Sequence, residues 1–267
     1  MNSTIACALV AVKLGVKVAH VEAGLRSFDR TMPEEINRVL TDAISDMLFT
    51  TEESANQNLK RENIPQEKVH FVGNVMIDTL IHCLENISDR LPFPDLMEKK
   101  YAIVTLHRPS NVDQPDKLKD ILKALHVISK MIKLVIPLHP RAKKNIERFN
   151  LCDELQSIGE TSIITGPIGY LDMLRLLKSA RIVITDSGGI QEETTYLGVP
   201  CLTMRENTER PSTITIGTNI LVGNDIKKLL YNVNQVLNNN CVQRQVPPLW
   251  DGKASIRIVE HLIRSLT

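Results

Sequence analysis

The stretch "RIVITDSGGIQEETTYLGVP" (Arg181–Pro200) decides how this chain is read. "RIVI" is a β-branched run of strand length, and the residues after the two glycines read as a helix that Gly198 stops. Adjacent glycines let backbone approach a ligand closely, and a helix N-terminus carries roughly half a positive charge. Such a turn suits an anion, and a diphosphate fits it. Ser187 stands where it can cap the helix, before Gly188 and Gly189. The spacing is not GxGxxG, and Walker A is excluded because no GK[ST] follows. Local features favour a plain strand-to-helix turn equally, and Glu192 and Glu193 suit the first turns of any helix on dipole grounds.

Outward from this stretch, nine short β-branched runs alternate with helix-length segments. They are "VKVAHVEA", "DMLFT", "KVHFVG", "AIVTLH", "LVIPLH", "SIITG", "RIVITD", "PCLTM" and "NILVG". That alternation predicts βαβ units and parallel sheet, an α/β fold. "SDRLPFPDLMEKK" (Ser88–Lys100), with two prolines and mixed charge, reads as an interdomain connection. The expected division is residues 1–90, 91–250 and a terminal segment 251–267. The apolar residues Ile256, Ile258, Val259, Leu262 and Ile263 give that segment an amphipathic helix. At the other end a helix is expected over Ser3–Leu14, a stop at Gly15 and a strand over Lys17–Glu22. A helix so apolar needs sheet to cover it, so something is expected to precede Met1.

The 267 residues are 43% hydrophobic and 24% charged, with a formal net charge of +1. This describes a soluble globular protein and argues against a general nucleic-acid binder, which carries a basic excess. No apolar run approaches the roughly 18 residues of a membrane span, and no signal peptide fits. Cysteines 7, 83, 152, 201 and 241 are odd in number and lack CxxC spacing, so a cytoplasmic location is expected, with neither disulfide framework nor zinc site.

Four further segments carry candidate chemistry. "AHVEAGLRS" (Ala19–Ser27) puts His20 and Glu22 at a strand's C-terminal end, where open α/β sheets bind ligands. The alternative for Glu22 is a structural pair with Arg26 or Arg38. "TMPEEINRVL" (Thr31–Leu40) has Thr31 and Glu34 at capping-box spacing, Pro33 at a helix start, and Glu34 and Arg38 on one face. Two carboxylates and an arginine could therefore converge and divide acid and base roles. "VTLHRPSN" and "IPLHPR" set His107 with Arg108 and His139 with Arg141 at strand tips, cations that suit a pyrophosphate leaving group. His139, His126 and His261 read as structural, and no metal-binding spacing exists among the histidines.

Taken together, "HVEAGLRS", "PEEINR", the "HR" of "TLHRPSN", "TDSGGIQEE" and "TERP" (Thr208–Pro211) resemble the non-hydrolysing UDP-N-acetylglucosamine 2-epimerases. The resemblance implies a glycosyltransferase-B-like fold of two Rossmann-like domains, with the nucleotide-sugar between them and a C-terminal helix crossing back to the first. It implies interconversion of UDP-N-acetylglucosamine and UDP-N-acetylmannosamine through loss and re-addition of UDP, without a redox cofactor. By motif, Glu22 and Glu34 are the acid/base carboxylates and Arg38 orders them. His107 and Arg108 meet the diphosphate, Ser187, Gly188 and Gly189 cradle a phosphate, Glu193 accepts ribose hydroxyls, and Arg210 is a further contact. The family tendency is a homodimer.

Two departures are visible. Ser110 replaces the acidic residue of the family's "HRxEN", and the first domain would begin about ninety residues earlier, with Met1 standing at the threonine of a "GDT" motif. The chain is therefore expected to bind UDP but to turn over weakly or not at all. A separate N-terminal fragment is a conceivable partner. The alternatives are a hydrolysing epimerase, which releases free N-acetylmannosamine, and a non-catalytic UDP-binding remnant.

Overall fold

The computed structural model describes residues 2–239 and 245–266; Met1 and Cys241, both used above, lie outside them. All nine β-branched runs form strands, every pairing is parallel, and the chain has an α/β fold. Two compact units result: Met1–His82 with Thr208–Thr215 and Val246–Thr267, and Cys83–Asn207 with Ile216–Gln245.

The first unit runs α1 (Asn2–Lys13), β1 (Ala19–Ala23), α2 (Pro33–Ile44), β2 (Met47–Thr50), α3 (Glu53–Arg61), β3 (Val69–Phe71) and α4 (Val75–Asn86), the last crossing the division of units. Its sheet has the order β1-β2-β3. Alternation along β2 serves both faces: Leu48 packs with Ala23 and Leu59, and Phe49 with Val72 and Ile258. α1 lies on α2, buries Ala8, and leaves Leu9, Val10 and Val12 exposed.

The second unit holds β4 (Tyr101–Thr105), α5 (Pro109–Val112), α6 (Pro115–Ser129), β5 (Lys133–Pro137), α7 (Pro140–Arg148), α8 (Cys152–Gly159), β6 (Ile163–Thr165), α9 (Tyr170–Ser179), β7 (Ile182–Thr185), α10 (Gly188–Leu197) and β8 (Cys201–Thr203). The chain leaves for α11 (Ser212–Thr215), which belongs to the first unit, and returns for β9 (Asn219–Leu221) and α12 (Ile226–Leu237). Strand order is β6-β5-β4-β7-β8-β9. Ala102 and Val104 face one apolar cluster while Tyr101 and Ile103 face another, so both faces of the central strand are buried. That is why these strands read as continuous apolar runs in the sequence.

The last helix, α13 (Ala254–Leu266), completes the first unit. Trp250 donates its indole N–H to the Thr51 carbonyl at 3.1 Å, and Asp78 receives the N–H groups of Ala254 and Ser255, satisfying donors the helix start leaves over. Ile258 and Leu262 pack on Phe49 and Val72, whereas Ile256, Val259 and Ile263 of the same expected stripe are exposed.

Beside this contact the rings of His70 and His261 lie 4.2 Å apart. Burial, then the neighbouring His261, lowers the His70 pKa below its ordinary 6.5. The unfolded chain therefore binds more protons as pH falls through 6.5, and stability present above that value is lost below it. Thermal unfolding at about pH 7.5 and about pH 5.5 should show a lower midpoint in acid, and His70→Phe should narrow that difference. An unchanged difference would remove His70 as its source.

Candidate active site

In the second unit the strand sequence reverses direction between β4 and β7. Ligands of open α/β sheets bind at such a switch point, outside the strands' carboxyl ends. The two strand tips are joined there by a 2.7 Å hydrogen bond between the Thr105 and Thr185 hydroxyls. Next along the chain, Asp186 is fully buried and collects the N–H of His107 at 3.0 Å, the N–H of Arg108 at 2.9 Å and the Asn111 amide at 2.9 Å. The Nδ1 of His107 approaches the same carboxylate at 2.8 Å. Burial opposes ionisation of Asp186, but His107, the Arg108 N–H and Asn111 outweigh it, and the carboxyl sits below its ordinary range. Held this way, the His107 ring keeps an exposed edge and Arg108 donates its Nε–H to the Asp186 carbonyl at 3.1 Å.

Ser187, Gly188 and Gly189 follow, partly exposed, at the start of α10, and Gly198 ends the helix in the left-handed conformation at φ +67°. Ser187 occupies the cap position, yet its hydroxyl makes no capping bond; its backbone N–H goes to the Thr185 hydroxyl at 3.0 Å. Glu193 is buried with the Tyr170 hydroxyl as its partner, and burial pushes its carboxyl up. The second His/Arg pair is committed elsewhere. His139 Nδ1 accepts from the Arg141 N–H and so caps α7, while the Arg141 guanidinium grips Asp113. Its structural reading accounts for His139, and Arg141 is no counterpart of Arg108.

In the first unit Glu22, the last residue but one of β1, takes an uncommon backbone state. The β1–β2 register shifts between Val21 and Ala23, and Glu22 takes φ +64°. A non-glycine residue held there costs on the order of 1 kcal/mol and is over-represented at functional sites. The bulge leaves the Glu22 side chain partly open, facing the Arg210 guanidinium at 4.0 Å. Neither partner expected of a structural Glu22 reaches it. Arg26 is bound by Asp42 and Glu62, each at 2.7 Å, and Arg38 by Glu35 at 2.8 Å and Glu209 at 3.6 Å.

The expected capping box does not form. Asp29 captures both the N–H and the hydroxyl of Thr31, and Met32 occupies the cap of α2 without a side-chain bond. Glu34 is exposed on the first turn, and its neighbour Glu35 turns inward. Glu35 receives the N–H groups of Ser27 and Phe28, the Ser27 hydroxyl and Arg38, so it is the glutamate that holds Arg38. Spacing alone could not separate the two glutamates, which follow Pro33 on adjacent helical positions.

Asp42, also unmarked by sequence, anchors His20 at 2.5 Å, the Gly24 N–H at 3.0 Å and Arg26. This makes His20 a structural residue. Gly24 itself sits at φ +76°, and a Cβ there would lie 2.6 Å from the Ala55 carbonyl oxygen. The glycine of "HVEAG" is thus fixed by a close backbone approach. Among the described residues no group of three or more His, Cys, Asp or Glu could hold a metal ion, and no helix is long and apolar enough to cross a membrane.

Two stability predictions follow from this geometry. Asp186→Asn should cost about 2–4 kcal/mol in urea unfolding, because buried donors lose an ionised acceptor. Gly24→Ala should cost about 2 kcal/mol or more from backbone strain and collision with Ala55. Near-wild-type midpoints would contradict the roles given to these residues.

Comparison with known proteins gives a consistent result. The family model described as UDP-N-acetylglucosamine 2-epimerase matches residues 1–263. A UDP-N-acetylglucosamine 2-epimerase of Methanocaldococcus jannaschii is 46% identical over 98% of this chain and 72% of its own length. A UDP-2,3-diacetamido-2,3-dideoxy-D-glucuronate 2-epimerase of Pseudomonas aeruginosa is 41% identical over the same shares, 98% and 72%. The crystal structure of a Methanocaldococcus jannaschii UDP-GlcNAc 2-epimerase in complex with UDP-GlcNAc and UDP superposes with a TM-score of 0.89 at 45% identity, covering 99% of this chain and 74% of that one. Such neighbours make the fold glycosyltransferase-B-like. With nearly its whole length matched, this chain belongs to the UDP-N-acetylglucosamine 2-epimerase family.

Proposed function

We propose that the chain interconverts UDP-N-acetylglucosamine and UDP-N-acetylmannosamine by elimination and re-addition of UDP across C1–C2. The observation that carries this reading is Glu22, held open at φ +64° on a strand tip and facing Arg210. Strain kept at a strand's carboxyl end beside a cation suits a carboxylate that moves a proton. Glu34, exposed on α2 while Glu35 holds Arg38, suits the second carboxylate.

One carboxylate takes the C2 proton, the C2–H electron pair becomes the C1–C2 double bond, and the C1–oxygen bond breaks toward UDP. The resulting 2-acetamidoglucal stays bound. The other carboxylate returns a proton to the opposite face of C2, and a diphosphate oxygen adds back to C1. The diphosphate charge that develops is met by His107, Arg108, the Ser187 hydroxyl and the backbone at Gly188 and Gly189, donors that Asp186 and α10 hold in place beforehand. Glu193, buried and paired with Tyr170, is assigned to the ribose hydroxyls.

A second reading concerns the sugar alone. The 41% identity to a diacetamido-glucuronate epimerase favours testing that nucleotide-sugar beside UDP-N-acetylglucosamine. Each is incubated with the chain in deuterated water and followed by proton NMR. The expected result is slow formation of a UDP-linked 2-epimer labelled at C2, in keeping with the weak turnover expected from the sequence. Free N-acetylmannosamine would replace this reading with the hydrolysing one, and no turnover of either substrate would overturn it. Glu22→Gln should abolish this turnover while UDP affinity stays within a few-fold, because proton transfer and diphosphate binding use different residues. Equal loss of both would make Glu22 structural.

A further inference from the structure

Glu52 is a buried carboxylate that neither the sequence motifs nor the reaction scheme uses. It follows β2 and sits at the cap position of α3, yet its side chain makes no capping bond to that helix. Instead the hydroxyls of Ser54 and Ser212 both point to it, one to each oxygen, and the Ser212 N–H adds a third bond. Burial raises its carboxyl pKa, and these bonds together with the charge of Arg210 oppose that rise. A carboxylate taken this far out of water is costly unless its partners matter.

The partner lies 160 positions away in sequence. Ser212 begins α11, two residues after Arg210, in the segment Thr208–Thr215 that belongs to the first unit although its chain neighbours on both sides belong to the second. A segment entered and left in this way needs its own anchors. Within it, Arg210 binds Glu209 at 2.5 Å and faces Glu22, while Glu209 reaches Arg38. The Thr213 hydroxyl closes the turn by donating to the Arg210 carbonyl at 2.7 Å. The Arg210–Glu22 and Glu209–Arg38 contacts thus end on residues assigned to the reaction, and the Glu52–Ser212 bond is an anchor that does not.

We propose that Glu52 is a positioning residue: by anchoring Ser212 it holds Arg210 facing Glu22 and Glu209 facing Arg38. The proposal rests on the functional reading above. Kinetics with UDP-N-acetylglucosamine, thermal midpoints and UDP affinity are measured for Ser212→Ala, Glu52→Gln, Glu52→Ala, Arg210→Ala and the double variant of the last two. Ser212→Ala, which breaks the anchor without touching a buried charge, should lower kcat about tenfold with KM within about threefold. Glu52→Ala should lower it about a hundredfold, Glu52→Gln should recover part because its amide oxygen still accepts from Ser212, and adding Glu52→Ala to Arg210→Ala should cost nothing further. UDP affinity should not move. Full kcat in Ser212→Ala together with losses for Glu52 and Arg210 that multiply would overturn the proposal and leave the epimerase reading standing. Absence of turnover in the unsubstituted chain overturns both.

Discussion

A buried aspartate organises the strand tips of each unit, and the remaining geometry depends on this. Asp186 has no exposure, so its charge persists only because backbone and side-chain donors converge on it. Meeting that demand fixes the turn after β4, orients the His107 ring and sets the exit of β7 from which α10 starts. Asp42 does the same work in the first unit with His20, the Gly24 N–H and Arg26.

The first unit carries many carboxylates, and environment divides them. Glu35 is satisfied by a loop and an arginine, Glu52 by two serines, and Glu209 by two arginines. Glu22 and Glu34 differ in being open, the one through a bulge and a left-handed backbone, the other through its place on the first turn of α2. Groups already satisfied are poor proton carriers, and in this respect the open Glu22 and Glu34 differ from the other three. This sorting rests on geometry, since adjacent glutamates in "PEE" have identical chemistry until the helix chooses which one turns inward.

The strands were legible because a doubly covered parallel sheet writes itself as β-branched runs, and every such run is a strand. The Gly188–Gly189 turn and the Gly198 stop were legible as well, since glycine is the residue that tolerates those conformations. Two local readings failed. Ser187 does not cap α10 through its hydroxyl, and Thr31 and Glu34 make no capping box. Thr31 was outcompeted by a partner outside the helix, Asp29, while Arg38 went to Glu35 on the same helix, which Ser27 and Phe28 brace from outside it.

By itself the sequence determined the fold class, the strand set and the motifs that mark the family, because these follow from periodicity and from residue types fixed at short range. Only the tertiary structure decided which charges are spent on the scaffold. It put Arg26 on Asp42 and Glu62, turned Glu35 inward, and carried Thr208–Thr215 to Glu52 and Glu22. Those pairings join residues as distant in sequence as Glu22 and Arg210, and such contacts are selected by distance in space and by burial, neither of which spacing along the chain records.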